Sequence, residues 1–117
     1  VISSGAELKA MFAEFVNDLG RTATVPYVTP TTQDLADAMS DCAREHDTIF
    51  MVNHGVLATG AVMKQAFYRC QVVEDAAISL VAARVVGKPR FLSKQNIRDL
   101  MALEGPKHRI KMMQAGR

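Results

Sequence analysis

An α/β fold richer in helix than in strand is predicted for this 117-residue chain by three observations. The run TIFMV, residues 48–52, is short, continuously apolar and set between a helix end and a turn, which suits a parallel strand covered on both faces. TATVPYV, residues 22–28, is rich in β-branched residues. Around both, apolar residues recur at helical spacing between glycine, proline and capping signals.

Residues 4–19 open with Ser4 and Glu7 at capping-box spacing and place Leu8, Met11, Phe12, Phe15, Val16 and Leu19 on one helical face, ended by Gly20. Pro26 cannot donate to a ladder, so the strand segment 22–28 that contains it is limited to a sheet edge or a strand end, and Pro30 closes it. Thr31 and Asp34 repeat the capping signal before a second amphipathic helix that runs to about Glu45, its narrow apolar face made by Leu35, Met39, Cys42 and Ala43. After TIFMV a short strand is expected at Val56 to Thr59. From Ala61 to about Val86 the pattern is helical and apolar nearly all round, the signature of a helix that is largely buried or lies between subunits. Gly87 and Pro89 stop it, Ser93 caps a further helix through Leu103, and Gly105 with Pro106 separates off a basic tail, Lys107 to Lys111.

With 49% hydrophobic and 22% charged residues the composition is that of one globular domain. A net charge of +2, spread among acids, does not point to nucleic acid. Cys42 and Cys70 fall in helical patterns beside apolar neighbours and read as two buried thiols rather than a disulfide, which favours a reducing compartment. No charged-then-apolar leader is seen, and the apolar stretches are broken by charges before the roughly 18 residues of a membrane span. The expectation is a cytoplasmic protein without a membrane partner. Helices outnumber strands, yet TIFMV looks like a sheet centre that two or three short strands cannot surround, and the chain begins at Val1. Residues 1–117 are therefore expected to be a single partial domain, the C-terminal part of a larger α/β unit whose other strands precede Val1 or come from another chain.

The stretch FMVNHGVLATG, residues 50–60, raises the functional question. A histidine after a buried strand and before glycine has two readings. His54 is a turn residue bonded to backbone through one ring nitrogen, or it faces the crevice at a strand end, where a neutral imidazole binds a metal or moves a proton. Gly55 would let backbone approach closely. A metal site needs further ligands. His46, at the end of the second helix, is separated from His54 by a strand, so the two stand at opposite ends of roughly 16 Å of extended chain. His108 lies in the basic tail and reads as a solvated surface residue. With no HxH, HExxH or CxxC in the sequence, this chain supplies only part of any metal site. Nucleophilic catalysis finds no support either. Ser93 is a helix cap, GxSxG is absent, and neither cysteine sits at a helix N-terminus. Glu74 and Asp75 point about 100° apart on a helix and read as a solvated or interfacial pair, with Arg69 and Arg84 as their partners.

In this order, VPYVTPTTQDLADAM, VNHGVLATG and AFYRCQVVEDAAISLVAARVVGKPRFLS resemble the C-terminal half of the class II aldolase and adducin family, over about Met11 to Ser93. The family includes sugar-phosphate aldolases such as fuculose-phosphate aldolase, epimerases, a dehydratase and decarboxylases. The resemblance implies the C-terminal part of a three-layer α/β/α class II aldolase-like domain. His54 stands at the position of the family's third ligand to a catalytic divalent ion, usually zinc, with manganese or magnesium as alternatives. The ion would polarise a carbonyl or hydroxyl pair and stabilise an enediolate. The family's HxH pair and its acid/base carboxylate are not in this sequence, so the catalytic residues are not identified here. Phe12 aligns near a tyrosine that some family aldolases reach in from a neighbouring subunit, and Thr32 stands where many members have glycine.

Two functions follow from the resemblance. One is a metal-dependent class II aldolase-type lyase, cleaving an aldol or decarboxylating a small hydroxy-carbonyl or sugar-phosphate-like substrate. The other is a non-catalytic, adducin-like assembly module. Retention of His54 favours the enzyme. Either way the resemblance implies a homotetramer with active sites between subunits, in keeping with a nearly all-apolar helix that needs a surface to bury against.

Overall fold

A computed structural model describes residues 1–103. A single 3₁₀ turn, Ile2–Ser4, precedes α1 (Ala13–Leu19), β1 (Thr22–Val25), α2 (Gln33–Ala43), β2 (Thr48–Met51), β3 (Gly55–Ala58), α3 (Met63–Val86) and α4 (Lys94–Met101). The three strands form one sheet in the order β1-β2-β3. β1 runs parallel to β2, with Thr22 opposite Thr48, and β3 antiparallel to it, with Met51 opposite Gly55. TIFMV is thus the sheet centre, but its two neighbours are present and only one of them is parallel.

Side chains alternate across β2. Phe50 joins the core with Leu8, Phe15, Val16, Leu19, Ala76 and Leu80, on the side of α1 and α3. Ile49 points the other way, is fully buried outside that cluster, and lies in the strand on which α2 packs. Helix, sheet and helix make three layers, as expected. α2 starts one residue later than its capping signal implied. Thr32, not Thr31, is the cap, its hydroxyl accepting from the Leu35 amide, while Thr31 takes a left-handed φ of 64°. At α4, Ser93 and Asn96 form the full capping box.

The expected helix over 4–19 is mostly absent. Ser4 bonds back to the Val1 carbonyl, Gly5 turns left-handed at φ 76°, and helix begins only at Ala13. Between them Glu7 and Lys9 are exposed while Leu8 and Ala10 are buried, an extended alternation that Leu92 anchors by donating to the Ala10 carbonyl at 2.8 Å. α3 is not buried all round. Arg69, Ala76 and Leu80 face inward, whereas Phe67, Ile78, Val81 and Val85 on the opposite face are exposed.

Arg69 is the departure with the widest reach. It is 2% exposed and pairs with Asp47 at 3.2 Å, not with Glu74 or Asp75. Its Nε donates to the Asp18 carbonyl at the end of α1, and another guanidinium nitrogen donates to the Thr59 carbonyl after β3. Asp47 in turn accepts from the Arg21 amide at 3.0 Å. Gly20 has φ 72°, and a Cβ there would lie 2.0 Å from Asp47 Oδ2, so the chain can pass the carboxylate only as glycine. Removing one partner of a buried pair strands the other charge. Arg69→Ala is expected to lower the unfolding free energy by about 3–5 kcal/mol in urea titration. The double change with Asp47→Ala is expected to cost less than the sum of the two singles.

Candidate functional site

The turn between β2 and β3 is built from both ends. Met51 closes β2, and its carbonyl accepts from the His54 amide at 3.1 Å. Asn53 adopts φ 56°, a left-handed geometry that asparagine tolerates better than other side chains, and its amide donates to Ser3 Oγ at 3.1 Å. The 3₁₀ turn at the N-terminus therefore braces the residue beside His54. The His54 side chain is exposed, and its ring has no hydrogen-bond partner among the described residues. Of the two readings of this histidine, the turn bond is made by its backbone and leaves the imidazole open. Around Gly55 a Cβ would meet nothing within 4 Å, so the close backbone approach anticipated there is not made by the described residues.

His54 opens onto a groove of about 700 Å³ between this turn, the N-terminal segment and α3. Cys70 and Glu74, one helical turn apart on α3, line the same groove. That Glu74 shares a groove with His54 was not apparent from the sequence, because only the packing of α3 on β3 brings them to one side. Among the described residues no group of three or more histidine, cysteine or acidic side chains is arranged to hold a metal ion. His46 is at the other end of β2, its Nδ1 3.0 Å from the Cys42 carbonyl. His108 lies outside the described residues. Phe12, just ahead of α1 rather than inside a helix, packs against the core. Glu74 and Asp75 are exposed, and Arg84 makes no ion pair among the described residues.

Both cysteines are free, but neither is fully buried, and Cys70 is exposed. Burial pushes the Cys42 thiol above its ordinary value, and the Glu45 carboxylate adds to the shift. Cys42 is therefore a poor nucleophile at neutral pH.

The family profile described as "Class II Aldolase and Adducin N-terminal domain" matches residues 2–81. The chain belongs to this family. The match begins earlier and stops sooner than the resemblance in sequence, leaving α4 outside it. Among its relatives, a rhamnulose-1-phosphate aldolase from Bacteroides thetaiotaomicron is 28% identical over 77 residues, covering 65% of this chain and 29% of the relative. One from Pectobacterium atrosepticum is 30% identical over 74 residues, covering 62% and 27%. The chain thus spans less than a third of the length of these relatives. YgbL of Klebsiella pneumoniae, a candidate aldolase/epimerase/decarboxylase, superposes with a TM-score of 0.73 over 80% of this chain and 44% of its own, at 22% identity. YgbL of Escherichia coli gives 0.72 at 21% identity. These two establish the class II aldolase-like fold. No helix among the described residues is long and apolar enough to cross a membrane.

A raised Cys42 value has a consequence for this family member's stability. The folded state holds the thiol proton more tightly than the unfolded state, so the contribution is complete below the ordinary thiol value of 9.0 and is lost as pH climbs through the raised one. Denaturation midpoints are expected to fall with rising alkaline pH, and more gently in Cys42→Ser.

Proposed function

We propose that this chain is part of a divalent-metal-dependent class II aldolase-type lyase in which His54 is one metal ligand. The observation that carries the reading is the open His54 imidazole, free at both ring nitrogens among the described residues and presented on a turn braced by Ser3. Such a residue fits one place in a ligand set, and a catalytic zinc site needs three protein ligands. The remaining ligands and the acid/base group would come from a preceding half, in the same chain or a separate one. Residues 1–117 are then a single partial domain. Zinc suits an imidazole-rich set best, with manganese or magnesium as alternatives, and the bound ion would supply Lewis-acid polarisation of a carbonyl. The relatives named rhamnulose-1-phosphate aldolase favour a sugar-phosphate-like or small hydroxy-carbonyl substrate, with aldol cleavage or decarboxylation as the reaction. A cytoplasmic homotetramer completes the reading.

An adducin-like assembly module without metal is the second reading, favoured by the exposed apolar face of α3 at Phe67, Ile78, Val81 and Val85. Metal content separates the two. In the complete protein, His54→Ala is expected to weaken metal binding at least about tenfold, more than changing a residue behind a ligand does, while native mass spectrometry finds the oligomer intact. Full metal occupancy in that variant would remove His54 from the ligand set, and a metal-free wild type would favour the assembly module.

A further inference from the structure

The side of α3 turned away from the core is apolar in its C-terminal half, where Ile78, Val81 and Val85 are exposed. At about 100° per residue these three fall within about 60° of one another, so they form one stripe rather than scattered exposures. The charges beside the stripe are sorted by sign. Glu74 and Asp75 come just before it, and from Ala76 to Arg98 there is no acid but five cations, Arg84, Lys88, Arg90, Lys94 and Arg98, all exposed. Glu74, Asp75 and Arg84 make no ion pair among the described residues. By the same helical geometry Glu74 and Arg84 lie on one flank of the stripe and Asp75 on the other.

A stripe that is acidic at one end and basic at the other is complementary to itself turned end for end. We infer that α3 packs antiparallel against α3 of a second copy, about a two-fold axis level with Ser79 and Leu80, so that Ile78 faces the second copy's Val81. Glu74 stands about 8 Å before that level and Arg84 about 7 Å after it along the helix. A two-fold rotation keeps each flank on its own side, so Glu74 of each copy comes level with Arg84 of the other. Parallel pairing would instead set Glu74 beside Glu74 and Arg84 beside Arg84, with like charges opposed. A nucleic acid or an anionic membrane lying along the stripe would meet Glu74 and Asp75 as well as the cations. Exposed ion pairs are individually weak. The apolar stripe therefore supplies most of the affinity, and the charges set direction and register. This contact names one interface of the oligomer proposed above but uses no metal ligand, so either can fail without the other.

Methyl NMR on the complete protein tests this, with two differently labelled batches mixed so that only contacts between copies are seen. A cross-copy NOE between the Ile78 and Val81 methyl groups is expected. Glu74→Lys and Arg84→Glu each create two like-charge pairs, and either alone is expected to weaken that signal at least about fivefold. An equimolar mixture of the two variants should restore it, because every facing pair is then opposite in sign. Restoration requires both variants to be folded, and the measurement on the unsubstituted protein depends on no variant. Absence of the cross-copy NOE in the unsubstituted protein would overturn the inference, with Ile78 contacts confined to its own chain identifying another part of the protein as the occupant. So would a signal that either single variant leaves unchanged, a mixture that fails to restore it, or an NOE joining Val85 to the second copy's Val85, which would mark a parallel pair.

Discussion

The Asp47–Arg69 ion pair ties together elements that are far apart in sequence. Arg69 is in the first third of α3, yet it reaches the end of α1 through the Asp18 carbonyl, the end of β3 through the Thr59 carbonyl, and the approach to β2 through Asp47. Asp47 extends the contact to the start of β1 by accepting from the Arg21 amide, while its own carbonyl accepts from Thr59. Charges this deeply buried are tolerable only when paired and hydrogen-bonded. Each bond fixes a strand end or helix end, so satisfying the pair also sets where the sheet begins. Thr48, fully buried next to Asp47, adds a hydroxyl bond to the Leu19 carbonyl on the same seam.

The sheet centre, α2 and the long helix were legible because their patterns allow one period each. TIFMV is too short for a helix and too apolar for a loop, Ser93 caps as read, and the α2 cap falls at Thr32, one residue after the expected Thr31. The N-terminal segment failed because two periods compete in it. Leu8, Met11, Phe12 and Phe15 fit a helix, whereas Glu7, Leu8, Lys9 and Ala10 fit an extended chain, and the bond from Leu92 to Ala10, more than 80 residues away, favours the second. No local rule supplies such a partner.

The site was legible only at its turn. His54 stands out in sequence because glycine follows it and a buried run precedes it. The positions of Ser3 and Glu74 beside it depend on tertiary packing. Arg69 carried a readable signal that was misassigned. It stands seven and eleven residues before Ala76 and Leu80, at the spacing of a single helical face, and those residues are buried. An arginine in register with a core stripe is itself a core residue, and its partner must then be sought among acids outside its own helix.

The lengths of the elements are unequal. α3 has 24 residues and rises about 36 Å, while each strand has four and covers about 13 Å. The helix therefore overhangs the sheet, and Met63, Val85 and Val86 near its ends are more than 80% exposed. Its middle is clamped by the core and its ends are held mainly by their own backbone hydrogen bonds. Amide hydrogen exchange along this one helix then becomes a graded scale, with the terminal turns opening by fraying and the turns around Ala76 and Leu80 opening only when the whole domain unfolds.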